Sequence, residues 1–179
     1  MLDIFSSFRI ILEASKEKMR CFAKYEFQSE GWLKGEFIAF LNTQIETGKI
    51  LRLEREKRMN MGGKKVDLVI TFGDDDVWIE LKHWHIGSQK GDKWLPYRYF
   101  RDKRYGPIND VQKLVDASKD KAYLVILNTP NPGVDLWERG LFGFNEKFIP
   151  FKLLKINEPS TYPDYFFLGL VKVEYSQQS

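Results

Sequence analysis

Residues 65–84 read KVDLVITFGDDDVWIELKHW, and the alternation of strand-forming and turn-forming residues here is the strongest indication of the architecture. Two runs rich in β-branched and aromatic residues, 66–72 and 77–84, flank the turn-forming sequence Gly-Asp-Asp-Asp at 73–76. Runs of this composition around a short Gly/Asp segment are typical of an antiparallel hairpin. We therefore predict two neighbouring strands joined by a tight, solvated turn.

Three charged residues, Asp67, Glu80 and Lys82, interrupt the apolar pattern of this hairpin. Side chains alternate faces along a strand, and the two apolar sets must share a side to form a core, so the three charges are predicted on one face. If 73–76 form the loop, Asp67 lies opposite Lys82; a slip of two residues places it opposite Glu80, about 5 Å away. Buried charges need solvent, mutual pairing or a metal ion, and we favour a divalent cation because it relieves repulsion between carboxylates.

Hydrophobic periodicity, turn residues and apolar runs predict the remaining elements. The predicted helices are residues 4–24, 29–48, 108–118 and 135–139. The other predicted strands are residues 50–58, 122–127, 148–156 and 165–175. We expect a single α/β domain, residues 1–179, with a mixed sheet flanked by helices. Its core is residues 29–128, preceded by an N-terminal helix (1–28) and followed by C-terminal strands (129–179).

The helix predicted at 29–48 adds a third acid to the hairpin charges. Its apolar stripe is Trp32, Leu33, Phe37, Phe40 and Leu41. Glu36 falls inside that stripe, between Trp32 and Phe40, where a glutamate is unusual. We interpret Glu36 as pointing at the same site; the alternative is a rim residue paired with a nearby lysine.

A helical Glu36, a strand Asp67 and the sequence Glu80-Leu81-Lys82 on the next strand resemble the motif of the PD-(D/E)xK, or restriction-endonuclease-like, nuclease superfamily. The resemblance covers about residues 29–128, where that family has an α-β-β-β-α-β core. Val66 stands where the family name has proline. No clear Gln-x-x-x-Tyr pattern is present, so the subfamily stays open.

The resemblance implies a metal-dependent phosphodiesterase that acts on nucleic acid, more specifically a DNA endonuclease. Asp67, Glu80 and the carbonyl of Leu81 would then bind Mg²⁺ or Mn²⁺ through hard oxygen donors. Lys82 would orient the attacking water or stabilise the transition state, and Glu36 would hold a metal-bound water or a second ion. No organic cofactor is implied.

Residues 89–105 contain six basic residues, two acids and five aromatics. Phosphate neutralisation and base stacking use that mixture, although a solvated loop with aromatics packed on the core would also explain it. The predicted nucleic-acid contacts are Lys90, Lys93, Arg98, Arg101, Lys103 and Arg104.

The composition allows these interpretations without demanding them. A formal net charge of +3 permits a nucleic-acid partner. Cys21 is the single cysteine, which excludes an intramolecular disulfide and fits a reducing, cytoplasmic setting. The N-terminus lacks the pattern of a secretion signal, and no membrane span is predicted. His83 and His85 are interpreted as packing or hydrogen-bonding residues, since no third ligand completes a zinc site.

Two functions other than a self-sufficient nuclease stay open at this point. One is a non-catalytic module that holds nucleic acid or a protein partner. The other is a subunit of a defence or repair complex that is active only when assembled. The oligomeric state, whether monomer, homodimer or larger complex, is also open.

Overall fold

The computed structural model describes residues 1–25, 27, 29–59, 63–85, 100, 106–117, 121–145, 151–155 and 165–175. The helices are α1 (Leu2–Ala14), α2 (Lys16–Tyr25), α3 (Glu30–Glu46), α4 (Ile108–Ala117) and α5 (Val134–Asn145). The strands are β1 (Arg52–Arg58), β2 (Lys65–Phe72), β3 (Asp75–His85), β4 (Ala122–Thr129), β5 (Phe151–Lys155) and β6 (Phe167–Tyr175). None of the helices in these ranges is long and apolar enough to cross a bilayer.

The six strands form one open sheet in the order β1-β2-β3-β4-β6-β5. Strands β3 and β4 are parallel and every other neighbouring pair is antiparallel, which confirms the predicted mixed sheet. The parallel pair requires a crossover, and α4 lies within it. Among the described residues, the elements from α3 to β4 follow one another in the order α-β-β-β-α-β, and β5 and β6 extend the same sheet.

Helices cover both faces of the sheet. On one face α1, α2 and α3 pack against alternate residues of the hairpin, including Leu68, Ile70 and Ile79. On the other face α4 and α5 pack against Trp78 and Trp84. Among the charged residues of the hairpin, Glu80 is therefore buried, and Asp67 and Lys82 are only partly exposed.

The predicted helix at 4–24 is wrong in one respect, because the chain forms two helices that meet at Ser15. The Ser15 N–H bonds to the carbonyl of Leu12, and the helix α1 ends there. The apolar spacing continues across the break through Met19, so periodicity alone could not locate it. Helix α5 is also longer than predicted, since Trp137, Leu141 and Phe144 extend its buried side.

The hairpin takes the slipped register of the two that were predicted. Phe72 pairs with Asp75 and Leu68 with Ile79, so the turn has only two residues, Gly73 and Asp74. Gly73 has φ of 56°, a left-handed conformation that glycine adopts without steric cost. In this register Asp67 would pair with Glu80, but the pairing of the two strands ends one residue earlier, at Leu68 and Ile79.

Candidate active site at a fork in the sheet

Strands β2 and β3 separate at Asp67. Their backbone pairing ends at Leu68 and Ile79, whereas β2 stays paired with β1 as far as Lys65. Beyond that point the backbone N–H of Leu81 donates to Asp67 Oδ2 at 2.9 Å, where a backbone carbonyl would otherwise accept. We call this place the fork. The carbonyl of Leu81 points to the same edge as its N–H and therefore also faces the fork.

Side-chain alternation along β2 breaks at the fork. Strict alternation would place Val66 on the face of Leu68, which packs with α1 to α3. Val66 instead packs on the opposite face, with Val69 and the residues of α4. The intervening Asp67 carboxylate reaches both the backbone of β3 and a side chain of α3, so it lies between the two strands.

Helix α3 sends a lysine and a glutamate to the fork. Lys34 Nζ lies 2.9 Å from Asp67 Oδ1 and 3.0 Å from Glu30 Oε1. Burial lowers the pKa of Lys34, but the hydrogen bonds and charges of the two carboxylates outweigh burial and raise the pKa above its ordinary value. Lys34 is therefore a permanent cation at the rim of the site.

Lys82 bridges the two helices that flank the fork. Its Nζ lies 3.3 Å from Asp110 Oδ2 on α4 and 3.7 Å from Glu30 Oε2 on α3. The side chain is 22% exposed, so the ammonium can be reached from solvent. Neither contact is short enough to prevent an incoming anion from competing for this charge.

Glu80 forms the floor of the site. Its side chain is 1% exposed, and Lys113 Nζ on α4 lies 2.8 Å from Oε1 and 3.0 Å from Asp110 Oδ1. Burial, followed by the charge of Asp67, raises the pKa of Glu80 to about 8, although Lys113 acts in the opposite direction. Glu80 therefore holds its proton at neutral pH unless a further cation approaches it.

Two buried carboxylate oxygens of the site, Glu80 Oε1 and Asp110 Oδ2, have no well-aligned hydrogen-bond donor in the described part of the chain. Lysine ammonium groups lie within ion-pair distance of both, Lys113 at 2.8 Å from Glu80 Oε1 and Lys82 at 3.3 Å from Asp110 Oδ2. Each oxygen thus has a lysine cation beside it, and a divalent cation that took the place of that ammonium would ligate the oxygen directly.

His83 fixes the start of α3 relative to the fork. Its Nδ1 accepts a hydrogen bond from the Ser29 backbone N–H at 3.1 Å, and its Nε2 lies 2.8 Å from Thr129 Oγ1. Burial lowers the pKa of His83 to about 4, so the ring is neutral at physiological pH. The predicted hydrogen-bonding role is confirmed, and the bond to Ser29 sets the position of the adjacent Glu30.

Of the residues predicted for the site, the structure brings Asp67, Glu80 and Lys82 together, with the backbone of Leu81 among them. Glu36 lies elsewhere: its Oε1 is 3.8 Å from Lys18 on α2. This arrangement matches the alternative of a rim residue paired with a lysine. At 100° per residue, Glu36 lies about 160° around α3 from Lys34 and so faces away from the fork.

Sequence reasoning missed four residues of the site: Glu30, Lys34, Asp110 and Lys113. Each helix contributes an acid and a lysine spaced four or three residues apart, a spacing that places both on one side of a helix. That spacing was visible in the sequence, but it is common on solvated helix surfaces and does not single out a site.

The predicted nucleic-acid contacts Lys90, Lys93, Arg98, Arg101, Lys103 and Arg104 lie outside the described residues. One aromatic of that segment, Phe100, is described. It is fully buried, with ring centroids 6.0 Å from Trp84 and 5.4 Å from Trp137. Phe100 is therefore a core residue.

The donor atoms at the fork suit a hard divalent cation. Carboxylates of Asp67, Glu80, Asp110 and Glu30, together with the Leu81 carbonyl, are the oxygen ligands that Mg²⁺ and Mn²⁺ prefer. In the described ranges no three His, Cys, Asp or Glu side chains are assembled into a ready metal site. The residues therefore fit a metal by chemistry and by their unsatisfied oxygens, provided that a lysine ammonium gives way.

Comparison of the chain with protein-family models, with curated proteins and with solved structures gives no match.

Proposed function

We propose that this protein is a metal-dependent nuclease that hydrolyses phosphodiester bonds in DNA as an endonuclease, similar in its site to the PD-(D/E)xK superfamily. The observation that carries the proposal is the meeting of Asp67, Glu80 and Lys82 at the fork. The α-β-β-β-α-β order of elements around the fork supports it. A cluster of acids alone would suit any cation. A lysine beside the acids that substrate can reach also provides a positive charge for a phosphate group, as phosphodiester hydrolysis requires.

Asp67, Glu80 and the Leu81 carbonyl are the groups that would hold Mg²⁺ or Mn²⁺. When bound, the metal would supply positive charge to the scissile phosphate and lower the pKa of the attacking water. Glu80 must lose its proton to act as a ligand. Its raised pKa therefore lowers the metal affinity near neutral pH, and the affinity should increase as the pH rises.

Lys82 is the group proposed to act on the substrate directly. Its ammonium is a compact charge held between Asp110 and Glu30, so it is already positioned before substrate arrives. A phosphate oxygen that replaces the longer contact, to Glu30, would gain an ionic partner. As negative charge grows on the phosphate oxygens, this prepositioned cation would stabilise it.

Lys113 and Lys34 are proposed as positioning residues. Lys113 holds the Glu80 carboxyl through one contact and is itself held by Asp110. Lys34 holds the Asp67 carboxylate from the α3 side. Fixed orientation matters because catalytic carboxylates must be held within a fraction of an ångström of their working positions.

One observation favours a second candidate, a non-catalytic binding module. Both carboxylate oxygens of Asp67 already have partners, Lys34 and the Leu81 N–H, so the fork satisfies that acid without a metal. In this alternative the ionic cluster joins α3, the fork and α4, and its partner is bound without cleavage.

Cleavage assays separate the two candidates. Supercoiled plasmid and single-stranded DNA are incubated with Mg²⁺, Mn²⁺ or EDTA and with wild type, Asp67→Ala, Lys82→Ala or Lys49→Ala. We expect cleavage that EDTA abolishes and that only the first two substitutions reduce, by at least about 100-fold. The exposed Lys49 lies beyond the far end of α3 and serves as the matched control.

Metal-dependent cleavage that survives both Asp67→Ala and Lys82→Ala would disprove the assigned site. A wild type that never cleaves but binds DNA tightly, in a salt-sensitive manner, would favour the binding module.

A further inference from the structure

Helix α2 carries a basic row on its exposed side. Lys16, Arg20 and Lys24 recur every four residues, so they lie in one line about 12 Å long. The helix has four cationic residues and one acid, Glu17, which pairs with Arg20 at 3.1 Å. Within the described part of the chain neither Lys16 nor Lys24 forms an ion pair.

Two exposed aromatic rings continue this row towards α3. Tyr25 is 68% exposed and Phe27 is 58% exposed. Phe27 packs against α2, since its N–H donates to the Phe22 carbonyl at 3.2 Å and its ring stacks on Phe22 with centroids 5.6 Å apart. A ring that is already ordered loses little entropy when a planar ligand stacks on it. We call Lys16, Arg20, Lys24, Tyr25 and Phe27 the α2 surface.

The Phe27 end of the α2 surface lies near the N-terminus of α3, which carries Glu30 of the fork. Phe27 precedes Glu30 by three residues, so their Cα atoms lie within about 11 Å of each other. The packing of Phe22 on Trp32, with ring centroids 5.1 Å apart, holds α2 against α3. A strand with one phosphate at Lys82 therefore has this surface within a few nucleotides.

We propose that the α2 surface binds single-stranded DNA that continues from the phosphate at the fork. The basic row neutralises its phosphates, and the rings of Tyr25 and Phe27 stack on unpaired bases. This inference rests on the proposed function of the fork and deepens it, because it specifies a nuclease whose substrate has an unpaired strand beside the cleaved bond.

The chemistry of the α2 surface favours single strands over the two other polyanions that a basic helix can bind. Duplex DNA keeps its base faces stacked and would leave the two rings unused. A basic helix that lies in an anionic membrane surface inserts an exposed apolar stripe into it. On α2 that stripe is used inside the protein, where Met19 is fully buried and Phe22 packs on Trp32.

Binding of a fluorescent fifteen-residue oligo(dT) in EDTA tests the proposal without requiring cleavage. Lys24→Glu is compared with Lys49→Glu, since each changes an exposed lysine and the net charge equally. We expect the dissociation constant to rise at least about fivefold for Lys24→Glu and at least about tenfold for Tyr25→Ala/Phe27→Ala, and less than about twofold for Lys49→Glu.

Cys21 provides a second readout because it is the only cysteine and is exposed. It lies one helical turn from Lys24 and Tyr25, so bound oligo(dT) should slow its reaction with a maleimide. No protection, equal losses for Lys24→Glu and Lys49→Glu, unchanged binding without the rings, or displacement of oligo(dT) by anionic vesicles would each overturn the proposal.

The two proposals fail in distinguishable ways. A wild type that cleaves DNA while the α2 variants bind oligo(dT) normally would reject the α2 surface and retain the nuclease. Asp67→Ala should lose cleavage and still protect Cys21. A wild type that never cleaves but whose oligo(dT) binding depends on Lys24 and the rings would reject the nuclease and retain the α2 surface.

Discussion

The Leu81 backbone N–H donates to Asp67 Oδ2 at 2.9 Å at the point where β2 leaves β3. A side-chain carboxylate thus replaces a backbone acceptor in the sheet, and the strands open around it. This one contact places an acid, the edge of β3 and the Leu81 carbonyl at a single location. The properties of the fork follow from it and can be tested separately.

Asp67→Asn should separate the structural role of Asp67 from its charge. Asparagine keeps an oxygen for the Leu81 N–H, so we expect a loss in the free energy of unfolding of only about 1 kcal/mol. Asp67→Ala leaves that N–H without an acceptor and should cost about 2–3 kcal/mol. Urea unfolding measures both, and both variants should lack cleavage. Cleavage by Asp67→Asn at the wild-type rate would remove Asp67 from the metal ligands.

Glu80→Gln should stabilise the metal-free protein at high pH. The pKa of Glu80 is raised to about 8 when folded and has its ordinary value near 4.5 when unfolded. The folded state therefore holds an extra proton between these values, and stability falls as pH rises from 4.5 to 8. At pH 8.5 we expect the free energy of unfolding of Glu80→Gln, measured with urea, to exceed that of wild type by roughly 2 kcal/mol. Mg²⁺ should stabilise wild type but not the variant; equal stabilisation would contradict the assignment.

The lowered pKa of His83 predicts that the stability of the fold is sensitive to acid, in a lower pH range than the one set by Glu80. Its pKa is near 4 when folded and 6.5 when unfolded. Between these values only the unfolded state takes up the proton, so stability falls as pH falls from 6.5 to 4, by up to about 3 kcal/mol. Urea unfolding at pH 7, 6, 5 and 4 should show this loss in wild type and a smaller one in His83→Gln. His85→Gln keeps the buried ring and removes only the smaller of the two causes, the charge of His85, so it should retain most of this loss.

Glu30→Gln and Glu36→Gln test which acid of α3 serves the site. Glu30 contacts both Lys34 and Lys82, whereas Glu36 contacts Lys18. We expect Glu30→Gln to lower the cleavage rate about tenfold or more, because the prepositioned Lys82 loses a partner. Glu36→Gln should stay within about twofold of wild type. The reverse order would restore Glu36 to the site and contradict the arrangement of α3.

Regular strands and the turn between them could be predicted from the sequence, because they depend on hydrophobic period and on turn-forming residues. Alternation along residues 66–72 and 77–84 predicted the hairpin and a shared face for Asp67, Glu80 and Lys82. Glu80 and Lys82 both contact α4, but Asp67 lies between the two strands and contacts Lys34 on α3. The fork could not be predicted, because it depends on a side-chain hydrogen bond that overrides alternation at Val66. Periodicity describes regular strands and contains no information about the point at which a strand leaves its neighbour.

The choice between Glu30 and Glu36 shows the same limit for helices. Glu36 lies at the edge of the buried stripe, so helical phase alone favoured it. Glu30 rather than Glu36 lies at the fork because of where α3 begins. The hydrogen bond between Ser29 and His83, which are 54 residues apart in the chain, sets that position. Contacts of that separation are not encoded in any local pattern.

Metal-dependent nicking of supercoiled plasmid by wild type, measured beside Lys82→Ala prepared identically, decides whether the fork is a nuclease site. We expect nicking that requires Mg²⁺ or Mn²⁺, stops in EDTA and falls at least about 100-fold in Lys82→Ala. Equal nicking by both proteins, or none by wild type with either metal, would contradict it.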